Sequence, residues 1–366
     1  MATYQQYQLK DGKRKWQVKG YIGLDENGKK TFTTKRGFET KRQAEFAWAK
    51  LQLEFEENKH APYAQMTFGE ATEEWLNEYE KTVEESTLFK TEQLFKNHIL
   101  PAFGERLIAE ITPLDIQQQL YEWSTSYTKA NLFMRYAGMV FDYAYRLDYI
   151  KENPTLKVRT IKTKQVEKKE NFYNKDQLKL FMQALKDGTN KRAYVFFRLL
   201  AFTGMRKGEL LALNWEDVDF ECQLITIDKA VAMKETGWYI KAPKTKASIR
   251  TISLDDITIN VLKDYQEACG NSEGLVFQSE GGGILSPAKP RKWYLQALKK
   301  TDLPPITIHG FRHTHCSLLF ESGATLKDVQ YRMGHSDIQT TMNIYSHVTS
   351  TAKERLANKF NCYVDF

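Results

Sequence analysis

The chain has 366 residues, 42% of them hydrophobic and 27% charged, a size and balance that indicate a folded protein of two or three domains and not a disordered one. The net charge is +7, and residues 1–50 carry all of it, with 12 Lys or Arg against 5 Asp or Glu, so a basic front end, the usual footprint for a polyanion, joins a neutral body. No run approaches eighteen apolar residues, MATYQQYQLKDGKRK lacks a signal-peptide core, and Cys222, Cys269, Cys316 and Cys362 form no CxxC pair; no membrane partner and a reducing, cytoplasmic setting are expected.

Residues 3–36 read as three short strands. KWQVKGYIG alternates polar with apolar, DENG offers a tight turn at Gly28, and KKTFTTK is β-branched and basic. Thr40, with Gln43 three residues on, forms a capping box for the helix TKRQAEFAWAKLQLEFEE. A three-stranded sheet backed by one helix can lay a strand face into the major groove of DNA. Lys13, Arg14, Lys15, Lys19, Lys29, Lys30, Lys35 and Arg36 are the candidate contacts there, although such lysines are also often just solvated.

KHAPYAQ, 59–65, reads as a linker. From Thr67 apolar residues recur at three and four through four or five helices, punctuated at Ser86, Pro101 to Gly104, Pro113 and Pro154. Lys90, Lys96 and Lys129 are candidate phosphate contacts on this bundle, whose aromatics belong mainly to its core. KVRTIKTKQVEKKE, 157–170, holds six basic residues against two Glu and reads as a basic linker, with Lys162 and Lys164 able to follow a phosphate backbone. The expected domains are therefore 1–60, 66–158 and 171–366, with the linker at 159–170. The last is mainly helical, with one β interlude from CQLITIDKAVAM to SIRTISL.

The chemistry-bearing residues lie in the third part. In AFTGMRKGELLALNW an apolar helix ends at Thr203-Gly204, and Arg206 opens the next helix, GELLALNW. Glu209 three residues on can orient its guanidinium, or the two can form an ordinary exposed ion pair. APKTKASIRTISL reads as a hairpin with Lys244 and Lys246 at its tip, idle unless that tip faces a leaving oxygen. In TIHGFRHTHCSLLF, His309 and Arg312 are three apart at a helix start and can grip one anion. Five of the seven histidines lie between 309 and 347, yet no Glu follows the first in metalloprotease fashion and no cysteine cluster assists; no metal is expected. ATLKDVQYRMGHSDIQTTMNIYSHVT reads as helix, turn, helix: Leu326, Val329 and Met333 form a buried stripe, Gly334 stops the helix and Ser336 caps the next. His335 sits at the junction and Tyr345 on the following segment. A phenol with a pKa of about 10 attacks phosphorus only with a base and a cationic surround.

These four stretches, in this order, resemble the tyrosine recombinase (phage integrase) family over 65–366, and residues 1–60 resemble the arm-binding domain of integrases from temperate phages and conjugative transposons. The resemblance implies a multidomain, mainly α fold: a three-stranded sheet with a helix that binds arm-type DNA, a helical core-binding bundle, and a mixed α/β catalytic domain. It implies site-specific recombination through a 3′-phosphotyrosyl intermediate that integrates and excises a mobile element. Tyr345 would be the nucleophile, Arg206 and Arg312 would neutralise the scissile phosphate, and Lys244 would protonate the leaving 5′-oxygen, with Lys246 two residues away as its competitor. His309 and His335 would handle the tyrosine proton, and Glu209 would set Arg206 or a histidine. No cofactor is implied. The implied partners are double-stranded DNA at core-type and arm-type attachment sites, three further copies of the chain in a homotetramer, and an accessory directionality factor or host DNA-bending protein; the setting is the bacterial nucleoid. TAKERLANKFNCYVDF would pack on a neighbouring protomer or on its own domain. A type IB topoisomerase and a non-catalytic DNA-binding regulator are the alternatives.

Overall fold

The computed structural model describes residues 2–8, 14–24, 30–59, 65–162, 170–243 and 245–342. Tyr345, His347, Lys244, Lys13, Lys29, Lys164, the DENG turn and the last sixteen residues lie outside that set. The chain divides into two compact units at 164/165.

The first unit opens with β1 (Ala2–Gln8), β2 (Arg14–Leu24) and β3 (Lys30–Phe38), an antiparallel sheet in the order β1-β2-β3, followed by α1 (Lys41–Lys59). The expected capping box is present: Thr40 Oγ1 accepts from the Gln43 N–H at 3.2 Å, and Gln43 Oε1 accepts from the Thr40 N–H at 3.3 Å. One sheet face takes α1, with Val18, Ala44 and Trp48 buried between them. Strand side chains alternate, so the residues in the other phase look away from the helix.

A second apolar cluster belongs to the helical part, made of α2 (Phe68–Tyr79), α3 (Glu85–Leu94), α4 (Leu100–Phe103), α5 (Pro113–Ser126) and α6 (Ala130–Arg146). Thr67 and Thr112 cap α2 and α5 through capping boxes with Glu70 and Asp115. Between α3 and α4 the helix widens to π geometry at Phe95–Ile99. Pro101 supplies the cause, since it has no N–H to give and its ring crowds the carbonyl four residues back.

The second unit contains α7 (Lys175–Lys186), α8 (Lys191–Thr203), α9 (Lys207–Leu211), the strands β4 (Val218–Asp219), β5 (Leu224–Ile227), β6 (Ala230–Lys234), β7 (Gly237–Lys241) and β8 (Arg250–Ser253), then α10 (Asp256–Cys269), α11 (Lys289–Leu298), α12 (Gly310–Glu321) and α13 (Leu326–Met333). Helix α8 is buried along most of its length, and α7, α10, α11 and α12 pack around it with a core rich in Phe, Leu and Ile. Among the described residues no helix is long and apolar enough to cross a membrane.

Three local expectations need correction. Helix α9 stops at Leu211 and does not run through GELLALNW, because Asn214 leaves the helix and the Asp217 carboxylate takes its N–H. The lysine-bearing segment is not a hairpin tip. β7 pairs with β6 and β8 pairs with β5, so residues 242–249 cross from a two-stranded to a three-stranded sheet, and Lys246 opens a single 3₁₀ turn at Lys246–Ser248. The cap after Gly334 is Asp337, not Ser336: its Oδ1 accepts from the Gln339 N–H at 2.9 Å, and residues 338–342 are helical.

Candidate active site

Two left-handed glycines shape the site. Helix α8 ends at Gly204 (φ 69°), and α13 ends at Gly334 (φ 64°). A Cβ on Gly204 would lie 2.7 Å from His315 Cδ2, and one on Gly334 would lie 2.9 Å from the Ala247 carbonyl oxygen. Position and backbone thus both demand glycine, and two chain turns meet where a side chain would have held them apart.

Arg206 is the N-cap of α9. Glu209, at the third helical position, accepts from its backbone N–H at 2.8 Å and from its Nη1 at 2.8 Å. Glu209 is only 4% exposed, so this is no surface ion pair. It also takes a fork from Arg250, with Nη2 to Oε2 at 2.9 Å and Nη1 to Oε1 at 3.2 Å. Burial opposes its ionisation, but the hydrogen bonds and charge of Arg250, then those of Arg206, outweigh burial and hold the carboxyl below its ordinary range.

The C-terminus of α13 is seated on arginines. A helix end leaves its last carbonyls without intrahelical donors and carries partial negative charge. Here Arg250 Nε donates to the Arg332 carbonyl at 2.9 Å, Arg312 Nη2 donates to that of Met333, and Arg206 Nη2 donates to that of Gly334 at 3.2 Å. Three guanidiniums from three elements thus hold three successive carbonyls. Arg312, on the first turn of α12 and wholly buried, also donates from Nη1 to the Gly204 carbonyl at 2.6 Å. Burial, and then the charge of Arg206, bring its pKa down to about 9.

His335 follows Gly334 directly. Its Nδ1 lies 2.8 Å from the hydroxyl of the fully buried Thr341. Loss of water, then Arg312, Arg206, His309 and Arg250, depress its pKa to about 3. His309, the N-cap of α12, keeps an open edge to solvent, while His313 packs edge-on against its other side with ring centroids 4.8 Å apart. Desolvation on that packed side, followed by His313, Arg312 and Arg206, brings it down to about 4. Both rings are therefore neutral at pH 7. A little deeper, His315 Nδ1 donates to the Ala201 carbonyl at 2.8 Å and Nε2 accepts from Arg332 Nε at 3.0 Å.

Arg206, Arg250 and Arg312 thus stand around one buried carboxylate, Glu209, while Arg332 lies beside Arg250 and has Asp255 as its acidic neighbour. Burial first, and then this excess of positive charge, depresses the neighbouring histidines, and an arriving anion relieves the second of these. Only Arg206 among the first three keeps a sizeable exposed side chain, at 37%. Such an arrangement can receive an anion, a phosphodiester among them.

Of the expected residues, the structure brings together Arg206, Glu209, His309, Arg312 and His335. Sequence reasoning passed over Arg250, Arg332, His315 and Thr341. Arg250 had left a signal, because it occupies the inward phase of β8, where Ile252 is also buried and Thr251 and Ser253 face out.

The phage integrase family profile matches residues 171–352, and the profile of the phage integrase N-terminal SAM-like domain matches residues 67–124. The chain belongs to the phage integrase family. This integrase is 28% identical over 389 residues to a XerC-like tyrosine recombinase of Caldanaerobacter subterraneus subsp. tengcongensis, covering 96% of this chain and 97% of the relative. It is 27% identical over 360 residues to the ICEBs1 integrase of Bacillus subtilis, covering 94% and 96%. Among solved structures, the Tn1549 transposon integrase in complex with a circular intermediate DNA has a TM-score of 0.66 at 21% identity, over 80% of this chain and 100% of that one. A lambda integrase dimer bound to a COC′ core site has a TM-score of 0.59 at 18% identity, over 93% of each. At those identities the likeness is one of fold: multidomain and mainly α with small sheets, as expected. The integrase is a site-specific tyrosine recombinase, an enzyme of DNA strand cleavage and rejoining.

In the first unit, register places Lys15, Lys19, Lys30 and Arg36 in the sheet phase that looks away from α1. Lys35 pairs with the buried Val18 and therefore shares the helix-covered phase, as Arg14 does with Trp16. Lys90 and Lys129 line a 680 Å³ cleft with His98 and Tyr127; Lys96 and Lys162 are exposed.

Proposed function

We propose that this recombinase integrates and excises a mobile element by cleaving one DNA strand at a time with Tyr345. The Tyr345 oxygen forms a bond to the scissile phosphorus as the P–O5′ bond breaks, leaving a 3′-phosphotyrosyl link and a free 5′-hydroxyl. Arg206 and Arg312 carry the charge of the pentavalent phosphorane, and the neutral His309 and His335 accept the tyrosine proton and hydrogen-bond the phosphate. Lys244 gives the proton to the leaving 5′-oxygen. Rejoining is the reverse step with a different 5′-hydroxyl, so the phosphotyrosyl bond conserves the energy of the phosphodiester. The observation that carries this reading is the seating of three successive α13 carbonyls on Arg250, Arg312 and Arg206, which sets His335 among uncompensated cations ten residues ahead of Tyr345.

Residues 1–60 act on arm-type sites through Lys15, Lys19, Lys30 and Arg36, residues 66–158 on core-type sites, and 171–366 as the catalytic domain, joined by the basic segment 159–170. The working form is a homotetramer on double-stranded DNA in the cytoplasm of a bacterial host, served by a directionality factor or host DNA-bending protein. A basic sheet domain in the same chain as the catalytic unit favours two-site recombination over simple strand relaxation of the type IB topoisomerase kind.

The test is to incubate wild type and Tyr345→Phe with the DNA flanking the gene and to map covalent junctions. Wild type should yield a protein–DNA adduct at one sequence, and Tyr345→Phe should bind that sequence without any adduct. An adduct with the Phe variant would refute the nucleophile, and relaxation of any plasmid by wild type without site preference would refute recombination.

A further inference from the structure

We propose that Arg250 is a positioning residue for strand cleavage, and that it acts by occupying the charge of Glu209 so that the charge of Arg206 stays available to the scissile phosphate. This rests on the assignment of Arg206 to that phosphate. The Arg250 side chain is 1% exposed and cannot itself reach a substrate.

The hydrogen bonds divide evenly. Glu209 Oε1 accepts from Arg206 Nη1 and Arg250 Nη1, while Oε2 accepts from the Arg206 N–H and Arg250 Nη2. A carboxylate is needed here, because it fixes the Arg206 backbone as N-cap and holds its guanidinium through Nη1. Alone, however, it would cancel the cation that it orients. Glu209 is buried, so opposite charges in contact there are weakly screened and part of the Arg206 charge would be cancelled. Arg250 resolves this from behind: its fork pairs with the carboxylate, and Arg206 is left as the surplus charge at the exposed front. Two further donors go to the Ser248 carbonyl at 3.0 Å and to the Arg332 carbonyl, which ties the carboxylate to the end of α13. Orientation and neutralisation thereby come from different residues.

The two roles separate with full-length protein and a nicked duplex carrying the junction mapped above, made once with the natural phosphodiester and once with a neutral methylphosphonate at the scissile position. Methylphosphonate has no anionic oxygen for Arg206 to neutralise. On the phosphodiester, Arg206→Ala and Arg250→Met should both form the covalent adduct about 100-fold more slowly than wild type, the scale of losing one transition-state donor. On the methylphosphonate both should come within about threefold of wild type, since the lost charge no longer has a partner. Arg250→Lys, which keeps the charge and loses the fork, should recover most of the phosphodiester rate. Glu209→Gln combined with Arg250→Met should be at least about tenfold faster than Arg250→Met alone, because no carboxylate is left to cancel Arg206.

Equal slowing of Arg250→Met on both substrates, or Arg250→Lys no faster than Arg250→Met, would overturn the proposal and leave Arg250 as packing alone. If Arg250→Met does not fold, the double variant, which buries no lone carboxylate, carries the comparison; a double variant as slow as Arg206→Ala on the phosphodiester overturns the proposal. Arg206→Ala is the control for the underlying assignment. If methylphosphonate fails to relieve it, Arg206 does not meet the phosphate and the role of Arg250 falls with it; if only the Arg250 variants go unrelieved, the assignment stands and the proposal fails.

Discussion

His315 offers a sharp test of how the catalytic unit is held together, because its ring is locked in one protonation state. Nδ1–H is given to the Ala201 carbonyl, so Nε2 must stay bare to accept from Arg332 Nε. A second proton would set two donors face to face at a buried position. Burial first, then Arg332 and Arg312, push its pKa down to about 3, against an ordinary 6.5 in the unfolded chain. The folded pKa is depressed for a base, so the unfolded state binds the proton first. The stabilisation is complete above pH 6.5 and is lost as pH falls below that value, until the folded ring also titrates. Between pH 8 and pH 5 the linkage relation gives a loss of about 2 kcal/mol, roughly a 30-fold change in the opening equilibrium. Any folded pKa below about 4 gives nearly the same figure, since at pH 5 only the unfolded state has titrated. The perturbation is His315→Gln, which offers one donor and one acceptor and does not ionise. The assay is hydrogen–deuterium exchange of α12 amides in both proteins at pH 8 and pH 5, compared at equal pH so that intrinsic exchange rates cancel. Wild-type protection should fall by that factor relative to the variant, even though other histidines titrate in both. Parallel losses in the two proteins would refute the fixed tautomer.

Thr341→Val keeps the shape of a fully buried side chain and removes the hydroxyl beside His335 Nδ1; adduct formation should slow about tenfold with little change in melting temperature, and an unchanged rate would sever Thr341 from the site. Gly334→Ala forces an L residue to φ 64° at about 1–2 kcal/mol before its Cβ meets the Ala247 carbonyl at 2.9 Å, so thermal melts of the full chain should show clear destabilisation together with slower cleavage. Deleting residues 1–60 should leave cleavage of a core site intact and flatten the salt dependence of binding to arm-containing DNA by about 0.9 logarithmic units for each phosphate that the domain had neutralised; an unchanged slope would remove the arm-binding role.

The sequence by itself determined the elements and much of the cast. Alternation marked β2, the Thr40–Gln43 capping box marked the start of α1, Thr67 and Pro113 punctuated the starts of α2 and α5, and glycine marked the ends of α8 and α13, because these are effects between residues a few positions apart. The order of TGMRKGEL, HGFRH and GHSDIQTTMNIYSH pointed, through the family resemblance, to Arg206, His309, Arg312, His335 and Tyr345, each motif being short enough to be seen in the sequence. Local rules failed where pairing is not local. β8 left β7 for β5, which moved the lysine segment off a hairpin tip and carried Arg250 into the core. Only the tertiary structure decided that Glu209 is buried and shared between two arginines. The same holds for the carbonyls of α13, which end on guanidiniums from three different elements, and for the two site histidines, which are held neutral. Charge, burial and hydrogen bonding between groups as much as 128 positions apart set those properties, and no spacing along the chain encodes them.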